Sequence, residues 1–302
     1  MHAAPRHRLV GHDLFGSNRI PISVRKAIVN GDHFPHDHDF MEIVVINGGS
    51  GHHVSMGTKQ ACETGAVYIL RPGTWHTYEN CSQLAVTNVC FAASMLRNEL
   101  RIPLSQPDIH DLLMTQTLRE ESEGLASLVL SSESLERAKT YLMGAEAALA
   151  ESSPVASVQV IGYITLFLSA LGTAAELRRT SQNGSFFNQR GVPQLAVDAA
   201  QLLDNNIAAQ WNLTLLSQEL FVDPSHLVRV FKGAMGLPPM AYLSRCRAES
   251  SASLLVRTDL SVSQIGIQVG WEDSNYFSRR FKQHFRLTPT AYRRRFGARS
   301  CP

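Results

Sequence analysis

The stretch FPHDHDFMEIVV, Phe34 to Val45, sets His36 and His38 two residues apart with Glu42 four further on. Side chains at even separations share one face of an extended strand, so these three point one way and Asp37 and Asp39 the other. A later stretch, GAVYILRPGTWHTYEN, turns at Pro72 and Gly73 and then presents His76 and Asn80. Three neutral imidazoles and a carboxylate can hold Mn, Fe, Ni or Zn with positions left open. The same polar floor can hydrogen-bond the hydroxyls of a bound molecule without an ion, and histidines packed on a half-wet strand face would do neither. Trp75, beside His76, suits stacking on a sugar ring or filling a core. Arg71 is the nearest fixed positive charge, for an acidic ligand or simply for the surface. His2, His7, His12, His52 and His53 lack a second ligand at matching spacing and read as surface residues.

Residues 20–92 must position this set. They are rich in Val, Ile, Thr and aromatics, with turn clusters NGGSG, SMGT, CETG and RPGT every eight to twelve residues, the spacing of short antiparallel strands in a sandwich or barrel. From about residue 93 the period changes. Leu135, Ala138, Leu142, Ala145 and Leu149 recur at three and four and mark one face of a helix. The apolar stretch from Val155 is interrupted by Ser157, Gln159, Gly162 and Thr165 and reads as a buried helix rather than a membrane span. Two such helices would close the barrel's open side or pair two subunits. A segment rich in Asn, Gly, Ser, Gln and Pro then reads as an interdomain linker.

The composition suits a folded soluble protein of two domains, with 44% hydrophobic and 18% charged residues in a chain of 302. The N-terminus has no apolar run of the secretory kind, which places the chain in the cytoplasm. Five cysteines at 62, 81, 90, 246 and 301 form no zinc or redox pair motif and read as reduced packing atoms. From Pro193 onward 13 Lys and Arg stand against 8 Asp and Glu, a net of +5, leaving 15 against 18, or −3, for residues 1–192. The C-terminal part thus faces something anionic, or has a solvated basic face.

A repeat decides between these. Shifted by 50 residues, Asp223 falls on Asp273, Arg229 on Arg279, Phe231 on Phe281 and Lys232 on Lys282. The match continues from Leu237, Pro239, Ala241, Tyr242 and Arg245 to Leu287, Pro289, Ala291, Tyr292 and Arg295, so one structural unit is present twice. Each copy reads as a helix, a tight turn and a second helix, within about seven helices started by DPS, PP, DLS, EDS and TPT. Leu227 with Phe231, and Phe277 with Phe281, form the inward stripes. The outward faces carry Ser225, His226, Arg229 and Lys232 in one copy, and Ser274, Asn275, Ser278, Arg279 and Lys282 in the other. Such faces fit successive major grooves of DNA, because Arg pairs bidentately with guanine and Asn with adenine.

The segment IGIQVGWEDSNYFSRRFKQHFRLTPTAYRR resembles the signature of the AraC/XylS family of transcription regulators, a likeness that covers Gln194 to Phe296. It implies a seven-helix domain with two helix-turn-helix motifs that binds promoter DNA and activates transcription, with RNA polymerase as a partner. Ser225, Val228 and Arg229, and then Ser274, Asn275, Ser278 and Arg279, are the base-facing residues it implies. His226, Lys232, Arg280 and Lys282 fall to phosphates, which fix register without reading sequence. Three positions depart from the family pattern: Gly266 stands for Ala, Trp271 for Phe and Arg286 for a helix-ending Gly. Gly266 is expected to weaken its helix by up to ~1 kcal/mol, and Trp271 to fill more core.

In the N-terminal part, His36, His38, Glu42 and His76 resemble the two metal-binding motifs of cupins, and HDHDFMEIV and LAVTNVCF resemble the sensor domains of rhamnose-type AraC regulators. The expected chain is multidomain α+β. A cupin-like double-stranded β-helix barrel over 1–100 binds an effector, a helical dimerisation and coupling segment spans 101–180, a linker spans 181–193, and an all-α DNA-binding domain with two helix-turn-helix motifs spans 194–302. The effector pocket is built on His36, His38, Glu42, Trp75 and His76. It needs no cofactor, although His36, His38, Glu42 and His76 could hold one divalent metal. A sugar is the expected effector, an organic acid, aromatic or cyclic nucleotide being the alternatives. The rival reading is a metal-dependent cupin enzyme, a dioxygenase or sugar isomerase, with a DNA-binding tail. The regulator is expected to be a homodimer without a membrane partner and without enzymatic activity.

Overall fold

The computed structural model describes residues 7–9, 14–15, 20–55, 58–96, 98–118, 124–151, 153, 155–182, 193–285 and 287–296. It divides into two compact units, Met1–Gly191 and Val192–Pro302. His2, His12, Arg286, Cys301 and most of the predicted linker lie outside the described residues.

The first unit is built on one curved sheet of eight described strands. They are β1 His7–Leu9, β2 Ile22–Gly31, β3 His36–His38, β4 Met41–Ser55, β5 Thr58–Ala61, β6 Ala66–Leu70, β7 His76–Phe91 and β8 Leu125–Val129. Their order is β1-β3-β7-β4-β6-β8, with β2 also on β7 and β5 also on β4. Two strands of 15 and 16 residues, β4 and β7, carry the fold. Their register shifts between Ile46 and Gly48, Gly48 and Ser50, and Ser50 and His52. Such bulges bend and twist a strand pair, so that one end of β7 meets β3 while the other meets β2. Met41–Ile46 is buried throughout because it is covered on both faces, whereas Gly51–Ser55 alternates. The turn spacing predicts such short antiparallel strands, and the domain is the cupin-like sheet that the motif resemblance implies.

Strand β8 lies inside the segment that the sequence reading gives to helices. It pairs with β6, from Leu70 opposite Leu125 to Ala66 opposite Val129. Its five residues alternate, with Ala126 and Leu128 buried, a period too short to stand out among helical neighbours. Short helical turns occupy much of 93–118, and two long helices follow, α1 Ser132–Leu149 and α2 Ala156–Gln182. Ser131 caps α1 by accepting from the Ser134 amide, and Leu135, Ala138, Leu142 and Ala145 are buried as their spacing predicts, with Ala148 in place of Leu149.

Helix α2 is only half enclosed. Ile164, Phe167, Leu168 and Leu171 are buried, while Val158, Tyr163, Leu166 and Leu177 are exposed. By length and composition its residues 156–180 could cross a membrane, and 39% of that apolar window is buried. The expectation of a buried helix holds on the face against α1, while the uncovered face mixes Val158, Tyr163 and Leu166 with Gln159, Ser169 and Thr173. Arg178 and Arg179 also still belong to α2, bonding Ser127 O at 3.1 Å and Asp108 Oδ1 at 3.1 Å.

The second unit has seven described helices: α3 Gln194–Asn205, α4 Leu213–Glu219, α5 Pro224–Met235, α6 Pro239–Arg257, α7 Val262–Gln268, α8 Ser274–Phe285 and α9 Pro289–Phe296. The expected start signals operate. Asp223 accepts from the His226 amide at 2.9 Å, Asp273 from the Tyr276 amide at 2.6 Å, and Ser261 and Gln264 form a capping box. Helix α6 packs against α5, α7, α8 and α9, so one long helix carries both copies of the repeat.

Both copies end their first helix in the same double turn. In the first, the Val222 amide reaches Ser217 O at 3.0 Å and the Phe221 amide reaches Gln218 O at 3.1 Å. In the second, Trp271 reaches Gly266 O at 2.7 Å and Gly270 reaches Ile267 O at 3.0 Å. This is the Schellman closure, with a left-handed residue after the cap. The first helices therefore correspond at an offset of 49 (Leu213 with Val262) and the second at 50 (Pro224 with Ser274), the extra residue lying in the second turn. A single 50-residue shift hides this.

The left-handed position is glycine in one copy, Gly270 at φ 87°, and phenylalanine in the other, Phe221 at φ 53° and 95% exposed. That conformation costs a residue with a Cβ ~1–2 kcal/mol, while glycine loses more chain entropy on folding, ~0.5–1 kcal/mol. Phe221→Gly should thus raise stability by about 0.5–1 kcal/mol, read as a higher urea midpoint, and an unchanged or lower midpoint would show no strain there. Gly266 also proves more than a weak helix former. A Cβ on it would stand 2.7 Å from Trp271 O and 3.1 Å from the Phe277 ring. The glycine lets Trp271 stack on Phe277, centroids 5.5 Å apart, so the two departures from the family pattern are packed against one another.

Candidate functional site

The histidine and glutamate side chains converge, but not by the route that even spacing suggests. Residues 36–42 are not one strand: β3 ends at His38, the chain bends at Asp39 and Phe40, and Glu42 arrives on β4. Sheet curvature brings them together. His36 pairs across the ladder with His76, and their rings lie 4.3 Å apart. Glu42 sits beside Cys90 in the β4/β7 register. Glu42 Oε2 is 3.2 Å from His38 Nε2 and 3.1 Å from His76 Nε2. One ligand atom each from His36, Glu42 and His76 lies within 4.8 Å of the others.

The cluster is enclosed, with His36 5%, His38 0%, Glu42 2% and His76 1% exposed. Burial, aided by the neighbouring His76, pushes the His36 pKa down to about 3. Burial also lowers His76, against the opposing pull of Glu42. For Glu42 burial acts upward, yet the hydrogen-bonding contacts of His38 and His76 hold it well below the usual carboxylate range. An ionised carboxylate is thus surrounded by imidazoles, two of which burial keeps neutral.

His38 adds a sharper constraint. Its Nδ1 lies 2.8 Å from Phe40 O, and a carbonyl only accepts, so Nδ1 carries the proton. Its Nε2 is thereby aimed at Glu42 Oε2. His38 Nε2, His76 Nε2 and Glu42 Oε2 are buried without a well-formed hydrogen bond among the described residues, a state that something must relieve.

His53 belongs to this set, which corrects its reading as a surface residue. It is 1% exposed, its Nε2 is 3.2 Å from His76 Nδ1, and its ring stacks on Tyr68 at 4.2 Å. Its signal was the alternation at the end of β4, where positions 51, 53 and 55 face inward. Arg71 is likewise buried, at 3%, with Nη1 near Leu113 O and Met114 Sδ. Trp75 is half-buried in the turn before β7, its carbonyl accepting from Ser55 Oγ at 2.7 Å. Cys62, Cys81, Cys90 and Cys246 are buried free thiols.

In the second unit, α5 and α8 anchor their inner faces completely: Leu227, Phe231, Phe277 and Phe281 are all 0% exposed. Ser225, His226, Arg229 and Lys232 are exposed on α5, and Ser274, Asn275, Arg279 and Lys282 on α8, while Val228 and Ser278 are half-buried at the edges of these faces. Arg280 is committed elsewhere. Its Nη2 and Nε donate to Ser244 Oγ at 2.7 and 3.2 Å, bracing α8 on α6. Tyr276 was overlooked: it is 44% exposed, with Arg279 Cζ 6.0 Å from its ring centre.

An AraC-like ligand binding domain matches residues 20–145, and a helix-turn-helix domain matches residues 216–295. The HTH-type transcriptional activator RhaS of Klebsiella pneumoniae (strain 342) is 28% identical over 286 residues, covering 92% of this chain and 93% of that protein. RhaS of Citrobacter koseri is 27% identical over 282 residues with the same coverage. The solved structure of ToxT from Vibrio cholerae O395 aligns with 92% of this chain and 98% of its own, at a TM-score of 0.48 and 13% identity, a distance at which nothing follows about ligand or target. Relatives alike over nearly their whole length are regulators, which sets aside the rival reading of a metal-dependent enzyme with a DNA-binding tail. With one match on the curved sheet and its helical neighbours and the other on the doubled helical unit, the chain belongs to the AraC family of DNA-binding transcription regulators.

Proposed function

We propose that the chain is a transcription activator whose C-terminal unit reads promoter DNA through α5 and α8 under the control of a sugar bound in the N-terminal sheet. The observation that carries the DNA half is the equivalence of Arg229 and Arg279, both exposed at the same place on helices whose opposite faces are wholly buried. Ser225, Val228, Ser274, Asn275 and Ser278 flank them as base readers, and Lys232 and Lys282 take phosphates. Each arginine paired bidentately with guanine contributes ~1–3 kcal/mol of discrimination. Arg229→Ala and Arg279→Ala should each lose about that much affinity in gel shifts and relax preference at one base position. If both leave sequence-specific affinity unchanged, the recognition helices are misassigned.

The effector half rests on the buried cluster and on the likeness of HDHDFMEIV and LAVTNVCF to rhamnose-type sensors. His36, Glu42 and His76, with His38 at the same carboxylate oxygen, fit a divalent metal: the set offers imidazole nitrogens and one carboxylate, and a cation would satisfy buried polar atoms there. His53 then orients His76 through Nδ1. A sugar would bind against this floor from within the sheet. A thermal-shift screen tests it, since saturation at ~100 times the dissociation constant adds about 2.7 kcal/mol. Stabilisation by acids, aromatics or cyclic nucleotides in place of sugars would replace the effector class.

The active form is a homodimer paired through α2, and it engages RNA polymerase on the promoter. The apolar side chains that α2 leaves open, Val158, Tyr163 and Leu166 among them, are stabilised when another surface covers them. Leu166, 46% exposed, is a sensitive point on that side. Leu166→Glu should shift the chain from dimer to monomer in sedimentation, and an unchanged sedimentation coefficient would move the interface elsewhere.

A further inference from the structure

We infer that His226 and Tyr276 are positioning residues that hold the two reading arginines in place. The inference rests on the reading of α5 and α8 as recognition helices. The two residues stand 50 positions apart, in register with Arg229 and Arg279, and each lies three residues before its arginine. That separation stacks side chains on one helix face. The chemistry differs between the copies and the contact is kept. His226 Nδ1 is 3.0 Å from Arg229 Nη2, while the Tyr276 ring lies 6.0 Å from Arg279 Cζ.

Guanidinium nitrogens only donate, so His226 Nδ1 is the acceptor and the neutral ring carries its proton on Nε2. Tyr276 acts through its ring face, which attracts a cation without using any of the arginine's donors. An arginine free on a helix surface loses rotamer freedom when it meets a base, and a neighbour that has already restricted it leaves less to lose. The first copy fixes the fork by one directed bond, and the second lets it slide over a flat surface. The arrangement therefore assigns the narrower base preference to Arg229 and the more tolerant one to Arg279.

The test selects binding sequences for the full chain from a randomised duplex library and measures affinity for the best sequence and its single-base variants. His226→Ala should weaken the best sequence about tenfold, equivalent to about 1.4 kcal/mol, with the loss confined to the base position that Arg229→Ala flattens. His226→Asn, which keeps an acceptor, should stay within about twofold. The double variant His226→Ala/Arg229→Ala should bind no more weakly than Arg229→Ala alone, because the histidine acts through the arginine. Tyr276→Phe should keep wild-type preference, and Tyr276→Leu should flatten the Arg279 position. The unfolding midpoint should not move for the His226 variants, whose side chain is exposed, and Tyr276→Phe keeps the ring that meets Trp271 edge-on.

Losses equal at every base position, or adding to those of the arginine variants, would overturn the positioning role while leaving the recognition helices in place. Base preferences untouched by Arg229→Ala and Arg279→Ala would overturn both.

Discussion

Phe281→Ala is expected to destabilise the C-terminal unit by about 3–5 kcal/mol and to abolish specific DNA binding. Phe281 is fully buried in a ring cluster, edge-on to Phe277 at 5.8 Å and to Tyr292 at 5.1 Å, and tilted on Phe285 at 4.8 Å. Aromatic pairs of this kind contribute ~0.5–1.5 kcal/mol beyond the area they bury. The neighbours are themselves large rings, Phe277 and Phe285 one turn away on α8 and Tyr292 on α9, so they cannot collapse into the space left behind. A loss of this size is a large share of the ~5–15 kcal/mol that a domain commands. Since the same helix carries Asn275 and Arg279, unfolding and loss of DNA affinity should coincide. Urea unfolding with a parallel gel shift checks this, and a destabilisation below about 1 kcal/mol would mean that α8 is held by something other than this cluster.

Glu42→Gln should strip a bound divalent metal from the N-terminal unit, and the response to a chelator separates two accounts of the cluster. If a metal bridges His36, Glu42 and His76, removing the carboxylate charge removes a ligand, and the variant loses the ~2.7 kcal/mol that a metal at 100 times its dissociation constant supplies. A chelator should lower the wild-type unfolding midpoint by a comparable amount and leave Glu42→Gln unmoved. If no metal binds, the same substitution removes a carboxylate that its His38 and His76 contacts hold ionised and still costs stability, but the chelator then moves neither chain. Elemental analysis of the full chain, before and after incubation with Mn, Fe, Ni or Zn, supplies the independent readout. A wild-type chain that takes up none of them and ignores the chelator would end the metal proposal.

The sequence by itself determined the helical half almost completely. Caps, early prolines and the 3.6-residue stripe are local signals, and duplication printed them twice, so Asp223 and Asp273, Leu227 and Phe277, and Phe231 and Phe281 could be placed without coordinates. Local signals also marked the strands around the buried site. They could not say that the chain breaks after His38, that Glu42 comes from the next strand, or that His53 on the far half of β4 meets His76. Those contacts depend on how bulges bend two long strands, and curvature is a property of the whole sheet rather than of any window along it. The same reason explains β8, whose five residues became a strand only because β6 offered an open edge. It explains Gly266 too, which reads as a weak point of a helix until Trp271 and Phe277 are seen to need its missing Cβ.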